Sequence, residues 1–137
     1  DLYIAAAKDY FFGNPFMTFF SQHCLGAIPV DRNDKKGEAI SLILRLLTDL
    51  SRIWLIIFPE GTRSRTGRPG KPRAGIGLLA RESGAPVLPA RVSGTETFLG
   101  AGPLCIRFGK PLRFEGGAQK RDCQIFAEKV MEEILRL

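Results

Sequence analysis

Ile53-Trp54-Leu55-Ile56-Ile57-Phe58 is an unbroken apolar run of six residues, bounded by Arg52 and Pro59. Its length and its three isoleucines favour a strand. A continuous apolar run, in place of an alternating one, predicts a strand buried on both faces, as in a parallel sheet. Parallel strands need crossover connections, so helices are expected on either side of this run. Just upstream, Glu38 to Leu50 carries Ile40, Ile43, Leu44, Leu47 and Leu50 at three- and four-residue steps, the pattern of an amphipathic helix. Downstream, Ile76 to Glu82 reads as a short helix closed by Gly84.

The same alternation extends to both ends. Leu2 to Ala7 and Gly26 to Val30 read as short strands, with Asp31, Arg32, Asn33 and Asp34 forming a polar turn after the second. Between them, Tyr10 to Phe20 holds six of the chain's thirteen aromatic residues, and Phe16, Phe19, Phe20 and His23 recur at helical spacing behind Asn14 and Pro15. Packing explains that aromatic face better than a place in a lipid interface, and His23 reads as a packing residue. Pro86 to Val92 and Leu104 to Phe108 are further strands. Cys123 to Leu137 is a helix with Ile125, Phe126, Val130, Ile134 and Leu135 on its inward side. With no repeat or linker, the expectation is one α/β domain over residues 1–137, a mixed, largely parallel sheet flanked by helices.

Composition narrows the function classes. The chain has 137 residues, 45% of them hydrophobic, a net charge of +6, one histidine and three cysteines. That is enough apolar content for an ordinary core, which excludes disordered and collagen-like chains. There is no run of 18 apolar residues and no basic start of a signal peptide, so a cytosolic or membrane-peripheral protein is expected, without a spanning segment. Cys24, Cys105 and Cys123 are widely spaced with no Cys-x-x-Cys pair, which argues against a disulfide framework and a zinc site. Reduced, mostly packed thiols are expected, with no metal.

The charge is concentrated. Arg63, Arg65, Arg68, Lys71 and Arg73 lie within eleven acid-free residues, and taking those five from the 20 basic residues leaves 15 against 14 acidic ones. Gly67, Pro69, Gly70 and Pro72 interrupt the stretch, so it is a basic loop and not a helix. Gly75-x-Gly77-x-x-Ala80 matches a dinucleotide-binding loop only superficially, because it follows this loop and not a strand. Neither a Gly-x-x-x-x-Gly-Lys phosphate loop nor a Gly-x-Ser-x-Gly nucleophile elbow occurs.

The informative segment is Phe58-Pro59-Glu60-Gly61-Thr62-Arg63-Ser64, which leaves the apolar run and enters the basic loop. Ligands of open α/β sheets bind beyond the carboxyl ends of the strands. Here Gly61 lets backbone approach a ligand, Thr62 and Ser64 offer hydroxyl donors, and Arg63 offers a planar fork suited to phosphate. Glu60 can orient that guanidinium or accept a bond from a ligand hydroxyl. Residue types alone fit a phosphate or lysophospholipid head-group site and a surface turn held by a Glu–Arg ion pair about equally.

These seven residues resemble the third conserved block of the glycerolipid acyltransferases related to bacterial 1-acyl-glycerol-3-phosphate acyltransferase. Gly26-Ala27-Ile28-Pro29-Val30-Asp31-Arg32 is similar to that family's second block and Val87-Leu88-Pro89-Ala90 to its fourth, in the right order. The resemblance implies a glycerol-3-phosphate acyltransferase-like fold and transfer of an acyl group from acyl-CoA or acyl carrier protein to a hydroxyl of a 1-acyl-glycerol-3-phosphate or related lysophospholipid. It implies no cofactor beyond that acyl donor. By position, Arg32 and Arg63 would contact the acceptor phosphate, Glu60 and Gly61 would shape its site, and Pro89 would line the acyl or acceptor pocket.

One block is missing. The family's first block, His-x-x-x-x-Asp, supplies the general base that takes the acceptor hydroxyl's proton. His23 is the chain's one histidine, and Ile28 stands five residues later. The resemblance places that block upstream of Asp1, so the expectation is an amino-terminally truncated, partial acyltransferase domain, inactive alone and peripheral to the cytoplasmic face of a membrane. The basic loop also fits a non-catalytic module that holds anionic lipid at a membrane surface. Nucleic acid is a distant third, because the aromatic residues are not interleaved with the loop as stacking platforms would be.

Overall fold

The computed structural model describes residues 1–7, 19, 27–30, 37–50, 53–62, 69–94 and 103–137. The chain gathers into two compact units, Asp1–Gly70 and Lys71–Leu137. It is a small α/β fold containing a parallel sheet and helices.

In the first unit, β1 (Leu2–Ala7) is the central strand, flanked by β2 (Ala27–Val30) and β3 (Trp54–Ile56) in the order β2-β1-β3. All pairings are parallel: Ile4 faces Ala27 and Ala7 faces Val30 on one side, and Leu2 faces Trp54 and Ile4 faces Ile56 on the other. The Trp54 amide donates to the Asp1 carbonyl at 2.8 Å and continues the ladder. The crossover from β2 to β3 carries α1 (Glu38–Asp49), which packs on β2. Gly37 precedes α1 at φ +71, and its carbonyl accepts the Ser41 amide at 2.9 Å. Glu38 sits in the first turn, where a negative charge opposes the positive end of the helix dipole. Ile43 is 2% exposed, and Ile40, Leu44 and Leu47 are half-buried beside it. Leu50 was expected on that inward face but is exposed. The helix stops at Asp49, and the extended backbone at Leu50 turns the residue off the stripe.

The expectation that Ile53 to Phe58 is buried on both faces is not met. The strand is three residues long and alternates, with Trp54 and Phe58 each 65% exposed and Ile56 40% exposed, while Leu55 and Ile57 are half-buried. Alternate residues of a strand face opposite sides of the sheet, and here Leu55 and Ile57 lie on the better-covered side while Trp54, Ile56 and Phe58 lie on the other.

In the second unit, α2 (Gly75–Ser83) packs against α3 (Lys120–Arg136). Ile76, Gly77, Leu79 and Ala80 are buried on one helix, and Cys123, Phe126, Ala127, Val130 and Met131 on the other. The close approach is set at Gly77, where an added Cβ would run into the Cys123 backbone. Gly84 ends α2 as expected, at φ +68, with its amide donating to the Ala80 carbonyl at 3.0 Å. Helix α3 begins a turn before the expected Cys123, where the Asp122 carboxylate accepts the Gln119 amide at 3.3 Å. Its inward face also differs from expectation. Ile125 and Leu135 are about half exposed, because the small residues Cys123 and Ala127 form the seam against α2.

Strands β4 (Ala90–Ser93) and β5 (Cys105–Phe108) form an antiparallel ribbon in which Arg91 faces Arg107 and Val92 faces Ile106. Two like charges placed opposite each other would repel. Both guanidiniums instead donate to the last carbonyls of the chain, Arg91 to Leu135 at 3.2 Å and Arg107 to Leu137 at 2.6 Å. The negative end of the α3 dipole lies there. The expected strand Pro86 to Val92 starts late, since Pro86 and Pro89 have no amide for a ladder; Val87 makes an isolated bridge with Leu112. Cys123 is buried as expected, whereas Cys105 is exposed on the ribbon.

Candidate functional site

The site is built where β3 ends. Because β1, β2 and β3 run parallel, the chain leaves all three strands, after Ala7, Val30 and Ile56, in the same direction. Phe58-Pro59-Glu60-Gly61 then forms a β-turn, closed by the Gly61 amide donating to the Phe58 carbonyl at 3.0 Å. Proline at the second position presets φ for such a turn, and Gly61 at its end adopts φ +66, a conformation that a side chain penalises. Pro59 and Glu60 are half-buried, and Gly61 and Thr62 are exposed. The turn thus presents a glycine and a hydroxyl to solvent directly beyond the strand.

Glu60 is held. Its Oε2 accepts the backbone amide of Gly70, ten residues on. A carboxylate has acceptor positions beyond the one used here, so Glu60 keeps capacity for a guanidinium or a ligand hydroxyl. Glu60 and Gly61 lie in this turn, and Thr62 follows it directly. Arg63 and Ser64 follow it, and Arg32 follows β2 by two residues; all three lie outside the described residues, as do His23, Cys24 and the aromatic segment apart from Phe19. Pro89 stands in the second unit and is less than 2% exposed. Its carbonyl accepts the Gly109 amide at 2.9 Å and its ring packs over that glycine.

Sequence reasoning passed over Gly70, which it read as a loop breaker. A Pro-Gly pair ten residues after an acidic residue carries no signal that the glycine amide is that acid's partner. A shallow depression in the second unit is lined by Arg113, Glu115, Asp122 and Lys129 among others, two acids against two bases, a balance that does not favour a phosphate. Among the described residues, no three His, Cys, Asp or Glu side chains gather as a metal site, and no helix is long and apolar enough to cross a membrane.

A parallel sheet whose third strand leads through an acid-bearing turn into an arginine-rich segment makes this a small α/β protein. Residues 1–93 match the family described as Acyltransferase, and the chain belongs to that family. It is 31% identical over 78 residues to the chloroplastic 1-acyl-sn-glycerol-3-phosphate acyltransferase BAT2 of Brassica napus, covering 57% of this chain and 23% of the relative. It is 30% identical over 79 residues to the chloroplastic 1-acyl-sn-glycerol-3-phosphate acyltransferase LPAT1 of Arabidopsis thaliana (57% and 22%). It is 34% identical over 82 residues to the 1-acyl-sn-glycerol-3-phosphate acyltransferase of Limnanthes douglasii (58% and 29%). The chain therefore spans about a quarter of the length of the curated relatives it matches. No solved structure matches it at comparable stringency.

Proposed function

We propose that Phe58 to Ser64, with Arg32, form the acceptor side of an O-acyltransferase site that takes 1-acyl-glycerol-3-phosphate or a related lysophospholipid. The observation that carries this reading is the Phe58–Gly61 turn beyond the carboxyl end of a parallel strand, followed in sequence by Thr62 and Arg63 within the family-matching residues. The printed names of the relatives specify the same acceptor. In this reading Arg63 and Arg32 bind the phosphate, Arg63 in the bidentate way a planar fork permits. Thr62 and Ser64 donate to its remaining oxygens, and Gly61 leaves room for it.

In the reaction, the acceptor hydroxyl oxygen bonds to the carbonyl carbon of an acyl thioester from acyl-CoA or acyl carrier protein. The carbon–sulfur bond breaks, and the hydroxyl proton leaves with the thiol. A general base accelerates such a step by about 10²–10⁴-fold, and the family's His-x-x-x-x-Asp base is not assigned to any residue of this chain. The 137 residues are therefore expected to bind the acceptor and to transfer no acyl group alone. No cofactor is needed beyond the acyl donor. Contact with the cytoplasmic face of a membrane, where such acceptors reside, is part of the proposal, and the basic loop supports it.

Titration of the chain with monomeric 1-acyl-sn-glycerol 3-phosphate and with the matching phosphate-free 1-acylglycerol tests the reading. Selective binding of the phosphate-bearing lipid, abolished by Arg63→Ala, is expected. Equal binding of the two lipids, or salt-sensitive adsorption to any anionic vesicle that Arg63→Ala leaves selective for nothing, would refute it and leave a non-catalytic lipid-surface module.

A further inference from the structure

We infer that the exposed face shared by β1 and β3 carries the acyl tail of the acceptor, which runs from the Phe58–Gly61 turn back along β3 to Trp54. The occupant is taken from the acceptor-site reading above, on which this inference rests. Leu2 stands opposite Trp54 and Ile4 opposite Ile56 in the parallel register, and side chains paired in this way share one side of the sheet. Leu2 is 56% exposed, Trp54, Ile56 and Phe58 are exposed on the same side, and Ile4 is half-buried beside Ile56. Apolar residues scattered singly over a surface need no explanation, whereas a contiguous row of them, two strands wide, marks a binding surface.

Three observations choose the occupant. The row is continuous with the turn, since β3 holds Trp54 and Ile56 and Phe58 opens the turn that Gly61 closes. A head group held beyond the strand therefore leaves its tail beside Phe58. From there back to Trp54 the backbone covers at most about 14 Å, a path that one extended acyl chain can follow. Area argues against a second copy of the chain. The exposed parts of the two aromatic and two aliphatic side chains come to on the order of 400 Å², half of the roughly 800 Å² that each partner brings to a stable interface. Charge argues against a bilayer surface, because Leu2, Ile4, Trp54, Ile56 and Phe58 include no cation to answer lipid phosphates.

Trp54 is the chain's single tryptophan and lies at the end of the row away from the turn, so its fluorescence reports how far a tail extends. The test uses the 137-residue chain with monomeric 1-hexanoyl- and 1-dodecanoyl-sn-glycerol 3-phosphate and with the phosphate-free dodecanoylglycerol. A methylene half removed from water strengthens binding about twofold, so the dodecanoyl phosphate should bind on the order of fiftyfold more tightly than the hexanoyl one. It should also move Trp54 emission to shorter wavelength, and the hexanoyl phosphate should not. Trp54→Thr should weaken the dodecanoyl phosphate about tenfold and the hexanoyl one by about twofold or less. Binding of the dodecanoyl phosphate with Trp54 emission unchanged overturns the inference, and because this is read on the wild type it decides even if the variant does not fold. Equal loss of both phosphates in Trp54→Thr overturns it too, as does short-wavelength emission in the lipid-free chain, which would mean that a second copy or other residues already cover the face. A shift with anionic vesicles and none with monomeric lipid would make the face a bilayer contact and sink the tail assignment. Dodecanoylglycerol binding as tightly as the phosphate, with the same shift, refutes the acceptor-site reading and leaves the face as an acyl-chain site.

Discussion

Replacing Gly77 by alanine sets two effects of known sign against each other. Alanine is favoured over glycine in a helix interior by about 1 kcal/mol, so on an exposed helix the change would stabilise. Gly77 is buried in α2, and its new Cβ would stand 2.7 Å from the Cys123 Cα and 2.8 Å from its carbonyl carbon, closer still to the carbonyl oxygen. These are backbone atoms of α3 and cannot rotate away. The helices would have to part by roughly 1 Å, which forfeits a quarter to a half of the attraction across the gap. The residues that lose it are Ile76, Leu79 and Ala80 on one side and Phe126, Ala127 and Val130 on the other. Overpacking of this kind costs about 1–3 kcal/mol, so after the propensity gain the net effect is a loss of up to about 2 kcal/mol. Urea unfolding followed by far-ultraviolet circular dichroism reads it as a lower midpoint at unchanged slope. A midpoint raised by the equivalent of about 1 kcal/mol would show that propensity alone operates, and would refute the close approach of α2 and α3.

Two further substitutions probe the cap and the site. Gly84→Ala places a side chain at φ +68, where nothing lies within 4 Å, so only backbone strain acts; a loss of about 1 kcal/mol should lower the melting temperature by about 3–5 °C, and Gly84→Asn by less. Equal stability of all three would mean that the left-handed cap is not formed in solution. Arg63→Lys keeps the charge and loses the fork, so affinity for 1-acyl-sn-glycerol 3-phosphate, measured by calorimetry, should fall several-fold. An unchanged affinity would assign Arg63 the role of a general cation and not of a bidentate ligand.

The elements that were legible in the sequence are those in which one local signal coincides with the tertiary one. β1 over Leu2–Ala7 and α1 over Glu38–Asp49 fall within a residue of expectation because periodicity and turn residues agree there. Gly84 was readable as a helix stop for the same reason: the left-handed cap is a local property. What failed was whatever depends on neighbours. An apolar hexapeptide cannot announce which of its two faces will be covered, so the exposure of Trp54 and Phe58 was not readable from composition. On α3 the apolar residues are not confined to one stripe. The choice of Cys123 and Ala127 over Ile125 and Leu135 was made by Gly77 on another helix, since only small residues fit where two backbones come close.

The site divides along the same line. Its residue types, an acid, a glycine, a hydroxyl and an arginine in sequence, were readable because chemistry fixes which groups serve a phosphate. The turn they form was also implicit, with proline second and glycine last. The engagement of Glu60 was not, because its partner is a backbone amide, which every residue but proline carries and no motif can mark. This bears on what the acid is for. A carboxylate placed only to meet an arginine would gain from lying free beside it, and it would bring a negative charge to a site meant for an anion. A carboxylate bonded to a backbone amide ten residues away still carries its negative charge, so what the bond fixes is the place of that charge and not its amount. The five cations between Arg63 and Arg73 outnumber that single acid, so the local charge is positive with Glu60 ionised, as the proposed phosphate site requires.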